Sequence, residues 1–338
     1  MRHLPALVAL AALPLAAAPA RAERGSWRFH DDTRPIKAVV VGGSVTAWPK
    51  GNFGSFIEAA CPRVEVALKG KERLGSAALR DRFVEQVVKN PYVKAKDHEA
   101  LWLIFQSGLN SIASPEQTNY DAAAVYRIAH EHGLEVLALT VGPWGATSDK
   151  RRWAWANALA YKHYTQLAVD FVLGRLTPAE AFGKLAKGRD SADWLPAERP
   201  DIAVDLYDSP LRDKDAPLQD EATAARQVAI HKAVKAELKG LDEAARAARL
   251  AALTAQVREM PRWFMKKELH SFDHIHPNME GHRLMAETIC PKLPAAWRCD
   301  CKAIAGMSWN PKGGGLIPKV ELGDAGAPAA PAATAPAK

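Results

Sequence analysis

Three residue types that together can carry out nucleophilic catalysis stand near the two ends of this chain. Ser44 follows two glycines directly after the apolar, β-branched run 36–41, which predicts a buried strand that ends in a tight turn. A serine exposed at such a turn is a weak nucleophile unless a base takes its proton. His276 can be that base, and Asp273, three residues before it, can fix its tautomer and stabilise the imidazolium. The order Ser44, Asp273, His276 therefore predicts a serine hydrolase.

Segments of strand length and of helix length alternate around these residues. Continuous apolar runs predict five strands, and apolar residues spaced three or four positions apart predict the helices between them. The predicted strands are 36–41, 64–68, 101–105, 136–141 and 202–206. This alternation indicates an α/β fold, a three-layer α/β/α sandwich with a mostly parallel five-stranded sheet. Because sites in such sheets lie beyond the carboxyl ends of the strands, Ser44 and the segment 108–110 fall at the expected edge.

Two stretches depart from this alternation and predict helical insertions. The first, at about 147–200, is rich in tryptophan, and the second, at about 218–267, has the spacing of a helical hairpin that turns at Gly240. The apolar stripe of the hairpin comprises Ile230, Val234, Leu238, Leu250, Leu253, Val257 and Met260. Since the hairpin directly precedes Asp273, it could form a lid over the site or pack on the flank of the domain.

The two termini predict segments outside the folded domain, which is expected at 23–322. Residues 1–22 combine a basic start, an apolar stretch and a small-x-small sequence, which is typical of a secretory signal cleaved after Ala22. Residues 323–338 are rich in alanine, proline and glycine and predict a disordered tail. No segment is long and apolar enough to predict a membrane span. The protein is therefore expected to be secreted or periplasmic.

Four cysteines fit an oxidising compartment and permit two disulfides in three pairings. They are Cys61, Cys290, Cys299 and Cys301. We favour a bridge from Cys61 to one of the other three, which would tie the early part of the domain to its last segment. Zinc is disfavoured because a single residue separates Cys299 from Cys301, whereas structural zinc pairs have gaps of about two to four residues.

Charge and composition exclude some partners. The formal net charge is +7, and removing Arg2 and Arg21 with the signal leaves +5. No basic run is interleaved with aromatic residues, so the sequence does not predict a nucleic-acid site.

The histidines around the predicted base are expected to be surface or supporting groups rather than metal ligands, and no cofactor is predicted. These histidines are His270, His274 and His282, which accompany the predicted base His276 in the sequence.

Four short blocks occur in order along the chain. They are Gly42-Gly43-Ser44-Val45, Gly75 within the stretch 73–79, Gly108-Leu109-Asn110-Ser111, and Asp273-His274-Ile275-His276-Pro277. Together they resemble the SGNH hydrolase family, also called GDSL esterases and lipases. The resemblance covers roughly residues 36–145 and 200–290. It implies a flavodoxin-like α/β/α fold and an esterase that works through an acyl-enzyme on small-molecule, glycan or lipid esters.

The resemblance also implies a role for each matched residue. Ser44 would attack the ester carbonyl, His276 would transfer the proton, and Asp273 would orient His276. The backbone N–H groups of Ser44 and Gly75 and the side-chain amide of Asn110 would form the oxyanion hole.

Some positions depart from the family pattern. Gly43 and Ser111 stand where the family has aspartate, so the hydrogen bonding of both turns is expected to differ. Gly70 competes with Gly75 for the oxyanion role. The other large serine-hydrolase fold requires Gly-x-Ser-x-Gly, and Thr46 occupies the place of its last glycine.

Two alternatives to ester hydrolysis stay open. An O-acyltransferase acting on envelope glycans would use the same three residues and exclude water. A non-catalytic envelope-binding protein would keep the fold and use the tryptophan-rich helices as its contact surface. Trp48 and Trp144 lie near predicted strand ends, where they could line a substrate pocket or pack in the core.

Overall fold

A computed structural model of the chain describes residues 27–149, 152–153, 157–187, 193–310 and 315–318. The predicted signal at 1–22 and the predicted tail at 323–338 both lie outside these residues. Within the described ranges, no helix combines the length and apolar character needed to cross a membrane.

A five-stranded, all-parallel sheet forms the centre of the molecule, as the sequence predicts. Its strands are β1 (Ile36–Gly42), β2 (Val64–Leu68), β3 (Ala100–Gln106), β4 (Glu135–Leu139) and β5 (Ile202–Val204). Their order across the sheet is β2-β1-β3-β4-β5, which is the doubly wound flavodoxin-like order. β4 and β5 each end two residues earlier than predicted. There the Thr140 hydroxyl, rather than a strand carbonyl, accepts the N–H groups of Leu206 and Tyr207.

Helices cover both faces of the sheet because successive side chains of each strand point to opposite faces. The helices are α1 (Phe53–Ala60), α2 (Ser76–Phe83, continued by a π-helical turn at Val84–Val88), α3 (Pro115–Glu131), α4 (Asn157–Val172), α5 (Pro178–Phe182) and α9 (Met279–Ile289). On one face, Ala38 and Val40 of β1 pack with apolar residues of α1 and α9. On the other, Val39 and Val41 pack with residues of α2, α3, α4 and α5. The predicted three-layer sandwich is therefore confirmed.

Two disulfides attach the last described segment to the sandwich. Cys61, directly after α1, pairs with Cys299, and Cys290, directly after α9, pairs with Cys301. The bridge from Cys61 to the C-terminal cysteines agrees with the prediction. Beyond the bridges, β6 (Met307–Trp309) and β7 (Leu316–Pro318) form a small antiparallel ribbon.

The second predicted insertion contains three helices, α6 (Glu221–Ile230), α7 (Lys232–Glu237) and α8 (Glu243–Arg258). The first arm of the hairpin is divided into α6 and α7 because the backbone is extended at His231. Ile230 is 52% exposed and falls outside the apolar stripe. The buried contact between the arms comprises Ala224, Val228, Val234, Leu238, Leu253 and Val257.

Large aromatic side chains pack against the loop that carries Asp273 and His276. Trp144, Trp153 and Phe264 are buried together, and Ile275 of that loop packs against them. Trp144 is only 2% exposed. Of the two roles considered for Trp144, core packing is therefore the one that the structure supports.

Candidate active site

Ser44 lies in a single helical turn that begins at the carboxyl end of β1. The Ala47 N–H donates to the carbonyl of Gly43, and the buried Asn52 side chain donates to the Thr46 carbonyl. Glycine is required at residue 42, two positions before the serine, because a Cβ on Gly42 would lie 2.3 Å from the Gln106 carbonyl oxygen of β3. The turn is thus pressed against the neighbouring strand, and Ser44 is partly exposed at the sheet edge.

The three side chains predicted to cooperate meet at this edge. His276 Nε2 lies 2.7 Å from Ser44 Oγ, and His276 Nδ1 lies 2.9 Å from Asp273 Oδ2. Because an ionised carboxylate only accepts hydrogen bonds, Nδ1 carries the ring proton and Nε2 can accept the serine proton. The arrangement is the hydrogen-bonded chain that an activated serine nucleophile needs.

Hydrogen bonds hold the Asp273 carboxyl in its charged form. Partial burial alone would raise the pKa of Asp273, but the N–H groups of His276 and Ile275 and the His276 ring together outweigh it. Asp273 Oδ1 accepts both backbone N–H groups at 2.8 Å. The pKa of Asp273 is therefore lower than the ordinary value of 3.8.

The loop 270–277 is closed at its base and anchored at its tip. At the base, the Ser271 N–H donates to the His276 carbonyl at 2.9 Å. At the tip, the His274 carbonyl accepts from the Gly145 N–H at 2.8 Å, and His274 Nε2 lies 3.1 Å from the Asp149 carboxylate. The Asp149–His274 pair is a contact that sequence reasoning missed, because 125 residues separate the partners.

Asn110 lies beside the turn that carries Ser44. Its side-chain amide donates to the Leu74 carbonyl at 3.0 Å, and a Cβ on Gly43 would lie 3.2 Å from the same amide nitrogen. The absence of a side chain at residue 43 therefore leaves room for the Asn110 amide next to Ser44. Gly75 follows Leu74 directly and precedes α2, and its N–H belongs to the same peptide group as the carbonyl that Asn110 binds.

Ser111 joins the two segments that carry Gly75 and Asn110. Its Oγ accepts from the Ser76 N–H at 3.3 Å and from the Thr118 hydroxyl at 2.9 Å. The serine in place of the family's aspartate thus holds the start of α2 against the turn that follows β3.

Gly70 has a packing role that differs from that of Gly75. A Cβ on Gly70 would lie 2.3 Å from the backbone carbon of Thr46, whereas one on Gly75 would first meet the Ser111 Cβ at 3.6 Å. Gly70 therefore permits close contact between two backbone segments. Gly75 has space beside it, as a residue next to a ligand would.

A cleft opens next to Ser44. Its volume is about 380 Å³, including the open space at its mouth. Ser44, Gln106, Ser107 and Asn110 contribute polar side chains to the lining, and five apolar side chains contribute as well. The apolar side chains are Val45, Leu74, Leu79, Leu109 and Val141. Since the lining residues come from 43–142, the cleft is built by the sandwich itself, whereas α8 packs against α4.

His282 is a buried neutral group beneath the site. It is fully buried, and its ring stacks between Trp48 at 5.7 Å and Phe53 at 6.2 Å. Neither ring nitrogen has a hydrogen-bond partner. Burial, with a smaller contribution from the nearby His276, lowers the pKa of His282 to about 3.

This burial predicts a loss of stability in acid. The ordinary histidine pKa is 6.5, so between about pH 6.5 and pH 3 the unfolded chain binds a proton at residue 282 that the folded chain excludes. As the pH is lowered through this window, the free energy of unfolding should therefore decrease, by up to about 5 kcal/mol from this group. His282→Phe, which keeps a flat ring, should reduce that fall in urea titrations at pH 7.5, 5.5 and 4. His163→Gln, on an exposed residue of α4, is the control. Equal pH slopes in wild type and His282→Phe would contradict the prediction.

Comparisons with known proteins found distant likenesses among solved structures. No protein-family model and no curated protein matches the chain. Solved structures that it resembles include an acetyl xylan esterase (14% identity, 77% of this chain and 100% of that chain, TM-score 0.40). A second is a member of the lipolytic protein G-D-S-L family from Veillonella parvula (12% identity, 76% of this chain and 97% of that chain, TM-score 0.39). A third is a GDSL-like lipase from Bacteroides thetaiotaomicron (13% identity, 76% of this chain and 87% of that chain, TM-score 0.39). These structures are described as lipolytic proteins of the G-D-S-L family and as esterases, and their likeness to this chain is distant.

Proposed function

We propose that this protein is a secreted serine esterase of the SGNH type, which hydrolyses carboxylic esters through an acyl-enzyme on Ser44. The observation that carries the proposal is the continuous hydrogen-bonded chain from Ser44 Oγ through His276 to Asp273. The cleft beside Ser44, with an amide donor at Asn110, supplies the place for an ester. The signal-like sequence at 1–22 and the two disulfides favour an oxidising compartment outside the cytoplasm.

In the first half of the reaction, Ser44 Oγ bonds to the ester carbonyl carbon while its proton moves to His276 Nε2. The resulting imidazolium is stabilised by the Asp273 carboxylate at Nδ1. His276 then gives that proton to the alcohol oxygen as the bond from carbonyl carbon to alcohol oxygen breaks. The products of this half are the free alcohol and Ser44 bearing the acyl group.

In the second half, water takes the place of the alcohol. His276 Nε2 removes a proton from water as the hydroxide oxygen bonds to the acyl carbon, and it returns the proton to Ser44 Oγ as the acid departs. In both halves the carbonyl oxygen becomes negatively charged. The Asn110 amide and the N–H groups of Ser44 and Gly75 are the donors that we assign to this oxyanion.

The acyl group should lie against the apolar side chains of the cleft. A cleft of this small volume, formed largely by the fixed ends of strands and helices, favours short acyl chains. Hydrolysis of p-nitrophenyl esters from acetate to octanoate is therefore expected to be fastest with the shortest chains. An optimum at octanoate would contradict this view of the cleft.

Covalent labelling tests the proposal directly. A fluorophosphonate should add one phosphonyl group to Ser44 of the folded protein, as located by peptide mass spectrometry, and none after unfolding in urea. Ester turnover by a protein that is never labelled at Ser44 would refute the assignment. Transfer of the acyl group to an added sugar faster than to water would make the protein an acyltransferase instead.

Asn110 provides a separate test of the oxyanion hole. Asn110→Ala should lower kcat by about 10²–10³-fold with little change in KM, because the lost donor acts mainly in the transition state. Asn110→Asp, which keeps the shape but places a negative charge near the oxyanion, should be at least as inactive. Full activity in both variants, measured at saturating p-nitrophenyl acetate, would remove Asn110 from the mechanism.

A further inference from the structure

Phe272 is an apolar ring held in an unusually open position. It is 77% exposed, whereas the next most exposed large apolar side chain among the described residues, Leu195, is 55% exposed. Leaving such a ring in water forgoes the favourable burial of apolar surface. Phe272 nevertheless has fixed neighbours: its ring stacks on His276 at 5.2 Å and lies parallel to Trp48 at 6.4 Å, with an interplanar angle of 12°. Most of the ring stays open after both contacts.

The position of this ring relative to the reacting atoms suggests its use. His276 Nε2 must deliver a proton to the departing alcohol, so the alcohol part of an ester lies beside the His276 ring. The acyl part has its own cleft, which is lined by residues from 43–142. Phe272 and Trp48, which we call the aromatic shelf, lie on the His276 side. Of the two parts of an ester, the alcohol part is therefore the one that can reach the shelf.

We propose that the aromatic shelf binds the alcohol part of the substrate and that this part is a sugar ring, so that the substrate is an O-acylated saccharide. The proposal rests on the esterase function proposed above. A flat, open ring face suits a partner that has one apolar face and a polar edge that stays in water. A sugar ring has this character, because the C–H groups on one face can cover an aromatic ring while its hydroxyl groups remain hydrated.

The shape of the shelf argues against a lipid alcohol. A flexible alkyl chain is bound best where apolar walls surround it on several sides, as in the concave pockets that bury most of a ligand. The shelf does not enclose a ligand in this way, because its most exposed member, Phe272, is 77% exposed. Phe272 therefore acts as a specificity-determining residue for the alcohol and has no part in the proton transfer.

Two acetate esters that share the acyl group test the proposal. For wild type and Phe272→Ala, kcat/KM is measured with an O-acetylated methyl glucoside and with ethyl acetate, whose alcohol has no ring. We expect the ratio of the two kcat/KM values to fall about tenfold in Phe272→Ala, as loss of one stacking contact typically costs, mainly through KM for the glucoside. Phe272→Tyr should restore the ratio. Tyr92→Ala, which removes another exposed ring (54% exposed), should not change it.

Other outcomes would overturn the proposal. An equal loss on both esters would mean that Phe272 only supports His276, and an equal loss on the glucoside and p-nitrophenyl acetate would mean that the shelf accepts any ring. If wild type hydrolyses none of these esters, the esterase proposal fails separately. In that case saturation-transfer NMR can measure whether methyl glucoside binds to Ser44→Ala and to the double variant Ser44→Ala/Phe272→Ala. The comparison tests whether the shelf binds a sugar. Binding that does not depend on Phe272, or no binding at millimolar sugar, would refute it.

Discussion

Replacing Ser44 with alanine is expected to lower kcat for p-nitrophenyl acetate by on the order of 10⁶-fold, the scale seen when a triad nucleophile is removed. The reason is that the acyl-enzyme route needs an oxygen nucleophile 2.7 Å from His276 Nε2, and alanine has none. Catalysis left in the variant would come only from binding and the oxyanion donors, which by themselves are worth about 10³–10⁴-fold over water. Steady-state kinetics with purified mature protein would measure the loss.

The Ser44 experiment needs a control for folding and for contaminating esterases. Ser55→Ala removes a serine hydroxyl from α1 and should retain wild-type activity. Circular dichroism should be the same for wild type and both variants, since Ser44 is partly exposed and supports no buried contact that alanine would break. Activity in Ser44→Ala within tenfold of wild type would place the nucleophile elsewhere and remove the central claim of the proposed mechanism.

Asp273→Asn is expected to lower kcat by about 10⁴-fold, although it changes only a few atoms. The asparagine carbonyl can still accept the N–H groups of Ile275 and His276, which the carboxylate now accepts at 2.8 Å. Its NH₂ group would then face His276 Nδ1 and favour the wrong tautomer, with the proton on Nε2. Nε2 could no longer accept the serine proton, and no charge would stabilise the imidazolium.

The tautomer of His276 can be observed directly. In ¹⁵N NMR spectra the wild-type ring should carry its proton on Nδ1 at neutral pH, and Asp273→Asn should move it to Nε2. Because hydrogen bonds lower the pKa of Asp273, its carboxylate should stay charged and keep accepting the Nδ1 proton as the pH falls into the acid range. A loss of less than tenfold in kcat, with the Nδ1 tautomer unchanged, would show that Asp273 serves only to shape the loop.

The sequence alone identified the elements of the fold whose cause is local. Continuous β-branched and apolar runs predict β1 to β5, since such runs are stable as strands when both faces are covered. The residues proposed for catalysis were also found in this way. Gly42 and Gly43 signal a tight turn before Ser44, and the short spacing of Asp273 and His276 lets both side chains meet within one loop. Their catalytic roles stay a prediction until the variants are measured.

What the tertiary structure decided depends on contacts between distant segments. Among the pairings that the sequence left open, it is the packing of the segment around Asp300 against the end of α1, where the Asp300 N–H donates to the Ala60 carbonyl, that places Cys299 beside Cys61. The Asp149–His274 pair joins residues 125 positions apart, so no rule based on sequence spacing could predict it.

Tertiary packing also determined which aromatic residues are buried and which are exposed, a difference that the sequence does not indicate. Trp144 is buried among other rings, whereas Phe272 stands open beside His276. The physical reason is that local propensity and periodicity act over a few residues. The packing of whole layers instead determines which side chains are buried, which cysteines pair and which side of His276 faces solvent.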